Sequence, residues 1–240
     1  MSGVPRLLTE SNVLDVWESG LAGPSAARSL LLASMAAPSP RSVADLPLSA
    51  LNSLLLELRR DAFGAALPCT ADCPGCGESL DVTVASHELL PAGGGAAAIA
   101  TATLVSYGRT VTYRALTGRD VRAVDPEAPR ARQTLLRRSV LSVDPPDGEV
   151  PDEVLEDVAR HLAELDPGAD SVLTLDCPQC EHHWDAALDL ADHLWTDVCG
   201  YAHRLLHEVH ALARAFGWTE ADVLAISPTR RRFYLEASTG

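Results

Sequence analysis

The clearest hydrophobic pattern lies in the last quarter of the chain, where apolar residues recur every three or four positions. The recurring positions are Leu188, Ala191, Trp195, Val198, Ala202, Leu205, Val209, Leu212 and Phe216. On an α-helix this spacing places them on one face, so it predicts one amphipathic helix about eight turns long. Gly217 is expected to end it. Two short helices should follow, one capped by Thr219 and Asp222 and one beginning at Pro228.

The N-terminal quarter shows helical periodicity with interruptions. Residues 11–63 are predicted to be mostly helical because apolar positions again recur at helical spacing, for example at Leu51, Leu54, Leu55 and Leu58. Two breaks divide this region, a Gly-Pro-Ser sequence at 23–25 and a Pro-Ser-Pro sequence at 38–40. Several helices, rather than one, are therefore expected before residue 64.

The middle of the chain changes to the alternating pattern of strands. Residues 80–84 alternate as a half-buried strand does, and short strands are also predicted at 171–176 and 182–186. Residues 104–116 are rich in β-prone side chains and predict a hairpin that turns near Gly108.

Helices are predicted between these strands. Thr117 and Asp120 resemble a capping box, with aspartate in place of the usual Glu or Gln. A helical segment is then expected to carry Leu135, Leu136, Val140 and Leu141, and another helix is expected at 151–165. Three glycines at 93–95 predict a flexible joint. The combined pattern indicates an α+β protein.

Charge and composition narrow the possible functions. The 240 residues include 33 acidic and 19 basic residues, which gives a net charge of −14. All of the basic residues are arginines. A field of this sign repels phosphate backbones, so nucleic acid is not the expected partner. Residues 1–11 lack the pattern of a secretory signal, and the best membrane candidate, 96–105, is too short to span a bilayer. The sequence therefore predicts a soluble cytosolic protein with reduced thiols.

Four of the six cysteines form two matched turns. Cys73 and Cys76 flank a Pro-Gly pair, and Cys177 and Cys180 flank a Pro-Gln pair. Each Cys-x-x-Cys turn brings two sulfurs to one point, and a structural zinc site takes four ligands in a tetrahedron. Because each turn leads into a predicted strand, the pattern indicates a zinc ribbon that holds one structural Zn²⁺.

The two halves of this ribbon are far apart in sequence. A compact ribbon separates its cysteine pairs by roughly 15–20 residues, whereas 100 residues intervene between Cys76 and Cys177. An insertion explains the distance, because the entropy of loop closure grows slowly with length. Two unrelated turns or a thioredoxin-like redox pair are the alternatives, but a redox pair does not explain two matched turns.

This interpretation divides the chain into helical N- and C-terminal regions around a split zinc ribbon with an inserted small α+β module. The predicted parts are a helical region at 1–68, ribbon halves at 69–84 and 171–189, an inserted hairpin-plus-helices module at 85–170, and a long helix with a helical hairpin at 190–240.

Other metal-ligating residue types have simpler explanations. Cys69 precedes the first turn, but four thiolates already saturate the site. His182 and His183 are expected on the strand or beside the ligands, and Cys199 is expected to pack in the core. Three further histidines share one face of the long helix, where a solvated polar face is expected: His203, His207 and His210.

Catalytic signatures are absent from the sequence. It contains no glycine-rich phosphate loop, no nucleophile elbow and no His-Glu-x-x-His motif. A zinc ion bound by four thiolates has no open position for a catalytic water. The chain is therefore not expected to be an enzyme or to take a small-molecule substrate.

A combined pattern runs through the C-terminal segments 206–213 (LHEVHALA), 216–220 (FGWTE), 223–224 (VL), 227–228 (SP), 230–231 (RR) and 234–235 (YL). It resembles the C-terminal signature of a baseplate-protein family of contractile phage tails and phage-tail-like injection systems. Both cysteine turns also match, together with His182 and Trp184, and residues 14–18 (LDVWE) match less specifically. One departure is Glu181, because knuckles of this kind usually have glycine there, as at Gly77, so Glu181 implies strain or a different turn.

The resemblance implies a non-enzymatic baseplate component or baseplate assembly factor. Its partners would be other baseplate or tail proteins, and it would reside in the bacterial cytoplasm during assembly. Whether it stays in the finished particle is left open by the sequence.

A zinc-ribbon regulator that binds nucleic acid is the alternative function. Residues 221–236 could form a helix-turn-helix that carries Arg230, Arg231 and Arg232. Consecutive helical residues point about 100° apart, so these arginines cannot form one groove-reading face. We expect at least one of them to face a carboxylate instead.

Overall fold

The computed structural model describes residues 8–37, 40–89, 98–146 and 149–238 and has the predicted α+β composition. Its α-helices are α1 (Glu10–Leu21), α2 (Ser25–Ala36), α3 (Leu48–Phe63), α4 (Gly118–Arg122), α5 (Ala131–Ser139), α6 (Asp152–Leu165), α7 (Leu190–Phe216), α8 (Glu220–Leu224) and α9 (Pro228–Ser238). Its strands are β1 (Ala66–Asp72), β2 (Ser79–Ala85), β3 (Thr101–Ser106), β4 (Arg109–Arg114), β5 (Val140–Asp144), β6 (Val172–Asp176) and β7 (His183–Ala187). Short 3₁₀ turns lie at Pro40–Asp45 and Ser86–Glu88.

The main core lies between the long helix α7 and the N-terminal helices α1, α2 and α3. The predicted stripe of α7 supplies its centre, since Trp195, Val198, Ala202 and Leu205 are all buried. The helix begins at Leu190 with Asp189 as its N-cap and ends at Gly217, which has a φ of 70°. The single-helix prediction is therefore confirmed, except that its first stripe residue, Leu188, precedes the helix and its last, Phe216, is exposed.

A second, smaller core lies in the middle of the chain. Strands β3, β4 and β5 form an antiparallel sheet in that order, and α6 packs on one of its faces. The buried residues of this core are Val111, Tyr113, Val154 and Val158. The predicted hairpin is confirmed, with its turn at Tyr107 and Gly108.

One helix in this region ends earlier than predicted. Helix α5 ends at Ser139, and Val140 and Leu141 lie in strand β5, which pairs with β4. Val140 packs in the second core from this strand. The prediction that Val140 and Leu141 are helical is therefore wrong.

The capping box at Thr117 is confirmed and anchors α4. The carboxylate of Asp120 accepts hydrogen bonds from the backbone N–H and the hydroxyl of Thr117, at 3.0 and 2.8 Å. It also forms ion pairs with Arg114 and Arg138. Although burial raises it, the contacts with Arg114 and Thr117 lower the pKa of Asp120 below its ordinary value, so the buried carboxylate stays ionised.

Some predicted features fall outside the described residues. These are the glycine joint at 93–95 and the start of the break at 38–40. Among the residues that the structure describes, none of the helices combines the length and the apolar character needed to cross a membrane.

Candidate metal centre

The cysteine turns close two β-hairpins. The first hairpin consists of β1 and β2, paired antiparallel from Ala66–Ala85 to Asp72–Ser79, with Cys73 and Cys76 in its turn. The second consists of β6 and β7, paired from Val172–Ala187 to Asp176–His183, with Cys177 and Cys180 in its turn. Strand β1, which precedes the first turn, was not predicted from the sequence.

Both turns have the same backbone geometry. The N–H of Cys73 donates to the carbonyl of Glu78 at 2.8 Å, and the N–H of Cys177 donates to that of His182 at 2.9 Å. In each turn, the N–H of the residue after the second cysteine donates to the carbonyl of the first cysteine. The distance is 2.8 Å from Gly77 to Cys73 and 2.9 Å from Glu181 to Cys177. Each turn therefore orients its two sulfurs in the same way.

The two hairpins are an internal repeat that extends beyond the cysteines. Each residue of the first hairpin corresponds to the residue 104 positions later in the second hairpin, as Cys73 corresponds to Cys177. In both, a strand threonine donates to an aspartate across the hairpin: Thr70 to Asp81 at 3.2 Å, and Thr174 to Asp185 at 2.9 Å. Sequence reasoning recognised only the cysteine turns, although the shared Thr-x-Asp-Cys-Pro-x-Cys pattern would have revealed the longer repeat.

The fold brings together the four cysteines that the sequence predicts as ligands. Their sulfurs all lie within 4.8 Å of one another, although the two turns are 100 residues apart. Sγ of Cys73 lies 3.6 Å from that of Cys180, and Sγ of Cys76 lies 3.6 Å from that of Cys177. Each close pair therefore joins one turn to the other.

These distances fit a metal ion better than disulfides. Sulfurs bonded to one another lie about 2.05 Å apart, which is far shorter than 3.6 Å. Four sulfurs at about 2.3 Å from a central ion in a tetrahedron lie roughly 3.8 Å from one another. The observed spacing is close to that value, so the four side chains are placed to bind one tetrahedral metal ion.

The four thiols also shift one another's pKa values. Although the amide of Glu78 lowers it, the neighbouring Cys180 thiol raises the pKa of Cys76 to about 12. Although burial raises it, the backbone amides of Cys180 and Gln179 lower the pKa of Cys177 to about 7. Once one thiolate has formed, its charge therefore opposes ionisation of the next. A cation between the sulfurs removes this opposition.

The remaining candidate ligands lie outside the cluster. Cys69 lies on β1, partly buried against the main core, where burial raises its pKa. The ring of His182 stacks on Trp184, and Nδ1 of His183 lies 2.7 Å from a carboxylate oxygen of Asp176. In the described part of the chain, the four turn cysteines are the only such group of three or more potential ligands.

The long helix holds no metal group either. Cys199 is partly buried against the main core, as predicted. The histidines of α7 are exposed, as expected for a solvated face: His203, His207 and His210.

Glu181 adopts the left-handed conformation that favours glycine. Its φ is 59°, and that of the equivalent Gly77 is 77°. The two turns therefore share one backbone geometry. Of the two expectations for Glu181, strain or a different turn, the structure has strain.

One of the three C-terminal arginines is an internal structural residue. Arg231 is 2% exposed and donates to both carboxylate oxygens of Glu10, at 2.8 and 2.5 Å. Its Nε also donates to Glu208 at 2.7 Å. Arg230 and Arg232 on either side are exposed. The expectation that at least one of these arginines faces a carboxylate is confirmed.

Comparison with known proteins adds no relative. The chain matches no family model, no curated protein and no solved structure.

Proposed function

We propose that Cys73, Cys76, Cys177 and Cys180 bind one structural Zn²⁺. The supporting observation is the cluster of four sulfurs, two from each hairpin, at spacings that fit a tetrahedral ion. Four thiolates suit zinc or iron. Zinc has no redox chemistry of its own and is common in four-cysteine structural sites, so it suits a link between two hairpins.

Metal analysis of the purified protein tests this proposal. We expect one zinc per chain, and we expect Cys73→Ser and Cys177→Ser each to lose it. Cys69→Ser is the matched control, because this nearby thiol lies outside the cluster. Iron in place of zinc, two metal ions per chain, or loss of metal in the Cys69 variant alone would each contradict the assignment.

We further propose that the chain is a non-enzymatic structural component or assembly factor of the baseplate of a contractile phage tail or phage-tail-like injection system. The observation that carries the non-enzymatic part is the saturated ligand set, since four protein ligands leave no position for a substrate or water. The baseplate assignment derives from the sequence resemblance. In the structure, residues of this resemblance have internal packing roles, because Arg231 joins three helices and Phe216, Trp218 and Tyr234 form one aromatic cluster.

Deletion of the gene tests the baseplate proposal. We expect the deletion strain to produce no complete contractile particles, and we expect a plasmid copy to restore them. Mass spectrometry of purified particles then distinguishes a resident component from an assembly factor. Normal sheathed particles from the deletion strain would refute the proposal.

The nucleic-acid regulator has little structural support. A recognition helix needs its basic side chains in solvent, whereas Arg231 is buried against two carboxylates. The net charge of −14 also opposes binding to phosphate. A salt-dependent mobility-shift assay should show weak DNA binding without sequence preference, and tight, selective binding at physiological salt would favour the regulator.

A further inference from the structure

Gly75 and Gln179 occupy equivalent positions in the two cysteine turns, each directly before the second cysteine of its turn. The second turn accommodates a long polar side chain at this position, and Gln179 is exposed. The first turn has glycine there, although both turns close with the same backbone hydrogen bonds. The shared geometry of the turns therefore does not by itself require glycine at residue 75.

The backbone conformation of Gly75 does not require glycine either. Positive φ values in the left-handed region favour this residue type. Gly77 has such a value, 77°, whereas Gly75 lies outside that region. A side chain at residue 75 would therefore cause no strain in its own backbone.

Gly75 instead lies at a close contact between the two turns. A Cβ atom added to it would lie 3.2 Å from both Cβ and Cγ of His182 and 3.5 Å from Sγ of Cys180. Carbon atoms in favourable contact lie about 3.5–4.0 Å apart, so an added methyl group would be too close to His182. The second turn therefore occupies the space that a side chain at residue 75 would need.

His182 cannot relieve this contact by rotating its ring. Its Cβ is fixed to the backbone, and its carbonyl accepts the hydrogen bond from Cys177 that closes the second turn, at 2.9 Å. Its ring also stacks on Trp184, with an angle of 22° between the ring planes. A side chain at residue 75 would therefore have to move one turn away from the other.

Movement of the turns would change the spacing of the sulfurs. The N–H of Gly75 donates to Sγ of Cys73 at 3.4 Å. That sulfur lies 3.6 Å from Sγ of Cys180, and Cys180 precedes His182 by two residues. Because the two sulfurs of this pair belong to the two turns in contact, separation of Gly75 from His182 lengthens the distance between them.

The spacing of the sulfurs determines which metal ion fits between them. In a tetrahedral site the distance between sulfurs rises in proportion to the metal–sulfur distance, which is about 2.3 Å for zinc. Thiolates are soft ligands, and Cd²⁺ is a soft cation with the charge of Zn²⁺ and a larger radius. A wider group of sulfurs therefore favours Cd²⁺ relative to Zn²⁺.

We propose that Gly75 is a specificity-determining residue of the metal centre. Because it has no side chain, the two turns can approach closely enough to fit Zn²⁺ better than they would fit a larger ion. Gly75 does not bind the metal through a side chain; it sets the distance between the sulfurs that do. This role rests on the proposed function, since it presupposes a metal ion between the four cysteines.

Competition with a chromophoric chelator measures the affinity of the full chain for Zn²⁺ and for Cd²⁺. Gly75→Ala should weaken Zn²⁺ binding about tenfold, as is usual for changes beside metal ligands, and should weaken Cd²⁺ binding less. Gly200→Ala on α7 is the matched control, because it adds the same methyl group where the described residues leave open space around an added Cβ. It should change neither affinity.

A double variant tests the contact itself. His182→Gly removes both carbon atoms that alanine at residue 75 would approach. In the His182→Gly background, Gly75→Ala should therefore no longer lower the affinity for Zn²⁺. If Gly75→Ala instead disturbed the turn in a general way, its effect would persist in this background.

Three results would overturn this role of Gly75 while leaving the proposed metal site intact. They are an unchanged Zn²⁺ affinity in Gly75→Ala, an equal loss of affinity for Zn²⁺ and Cd²⁺, and a loss that persists in the His182→Gly background. A parent chain that binds neither ion would refute the proposed metal site and the role of Gly75 together.

Discussion

Residue 181 shows how one side chain reports on the geometry of the metal centre. Gly77 and Glu181 occupy equivalent positions, donate equivalent hydrogen bonds and share a positive φ. Glycine adopts this conformation without strain, whereas for other L-residues it costs about 1–2 kcal/mol of free energy. The second turn is therefore held in a glycine conformation by its surroundings, and the two turns differ in strain rather than in geometry.

We predict that Glu181→Gly stabilises the metal-bound protein by about 0.5–1 kcal/mol, because relief of the strain exceeds the entropy cost of glycine. The free energy of unfolding in urea measures the change. The converse variant, Gly77→Glu, is the matched control and should destabilise by about the same amount. If Glu181→Gly were destabilising, the side chain of Glu181 would have a stabilising contact that outweighs its strain.

At the scale of elements, the sequence predicted the long helix and most of the strands, and it missed β1 and β5. Helix α7 was predictable because its apolar stripe continues for many turns. Strand β1 contains Pro68 and three alanine or threonine positions, and Leu67 is its only buried residue, so its strand signal is weak. Val140 and Leu141 were assigned to a helix because they continue the apolar spacing of α5. Only the pairing with β4 makes them a strand.

The candidate site was predictable for a chemical reason. Few residue types bind zinc, and a Cys-x-x-Cys turn specifies its own local geometry, so four candidate ligands that cluster in the structure could be named without knowing the fold. The partner of Arg231 was not predictable, because Glu10 lies at the other end of the chain. Such a contact depends on how α1, α7 and α9 pack.

The contacts of Arg231 make α9 part of the core structure. We predict that Arg231→Gln lowers the free energy of unfolding by about 2–4 kcal/mol, since it leaves Glu10 and Glu208 without their cation. The value should lie towards the lower end because Glu208 keeps some access to water. Thermal unfolding and exchange of α9 amides measure the effect.

Neighbouring arginines provide the controls for this prediction. Arg230→Gln and Arg232→Gln affect exposed side chains and should each change stability by less than about 0.5 kcal/mol. All three variants should retain their metal, because α9 lies outside the cysteine cluster. Equal effects at the three positions would mean that the helix responds to total charge rather than to the buried ion pair.

At the scale of the whole molecule, the cluster of four cysteines brings together parts of the chain that are distant in sequence. The first hairpin contributes Leu67 and Val84 to the main core, and the second packs Leu173 against it. The residues between the hairpins form the second, smaller core. None of its buried residues belongs to the main core. A metal ion in the centre would therefore close a loop of 100 residues that has a core of its own.

This arrangement predicts a selective response to metal removal. A cross-link over a loop of this length stabilises by roughly 4–5 kcal/mol in the chain-entropy model, and removal of the cation takes this link away. After chelation, the amides of β1, β2, β6 and β7 should lose protection against hydrogen exchange. Those of β4 and α6 should keep it, because Val111, Tyr113, Val154 and Val158 still pack together.

Hydrogen exchange with mass spectrometry, before and after a zinc chelator, distinguishes this selective response from general unfolding. The Cys73→Ser variant is the control, since a protein that already lacks the metal should show the exposed hairpins from the start and no further change with chelator. A uniform loss of protection over both cores would contradict the prediction. It would mean that the metal stabilises one cooperative unit, in which the middle of the chain cannot keep its fold unless the two hairpins are held together.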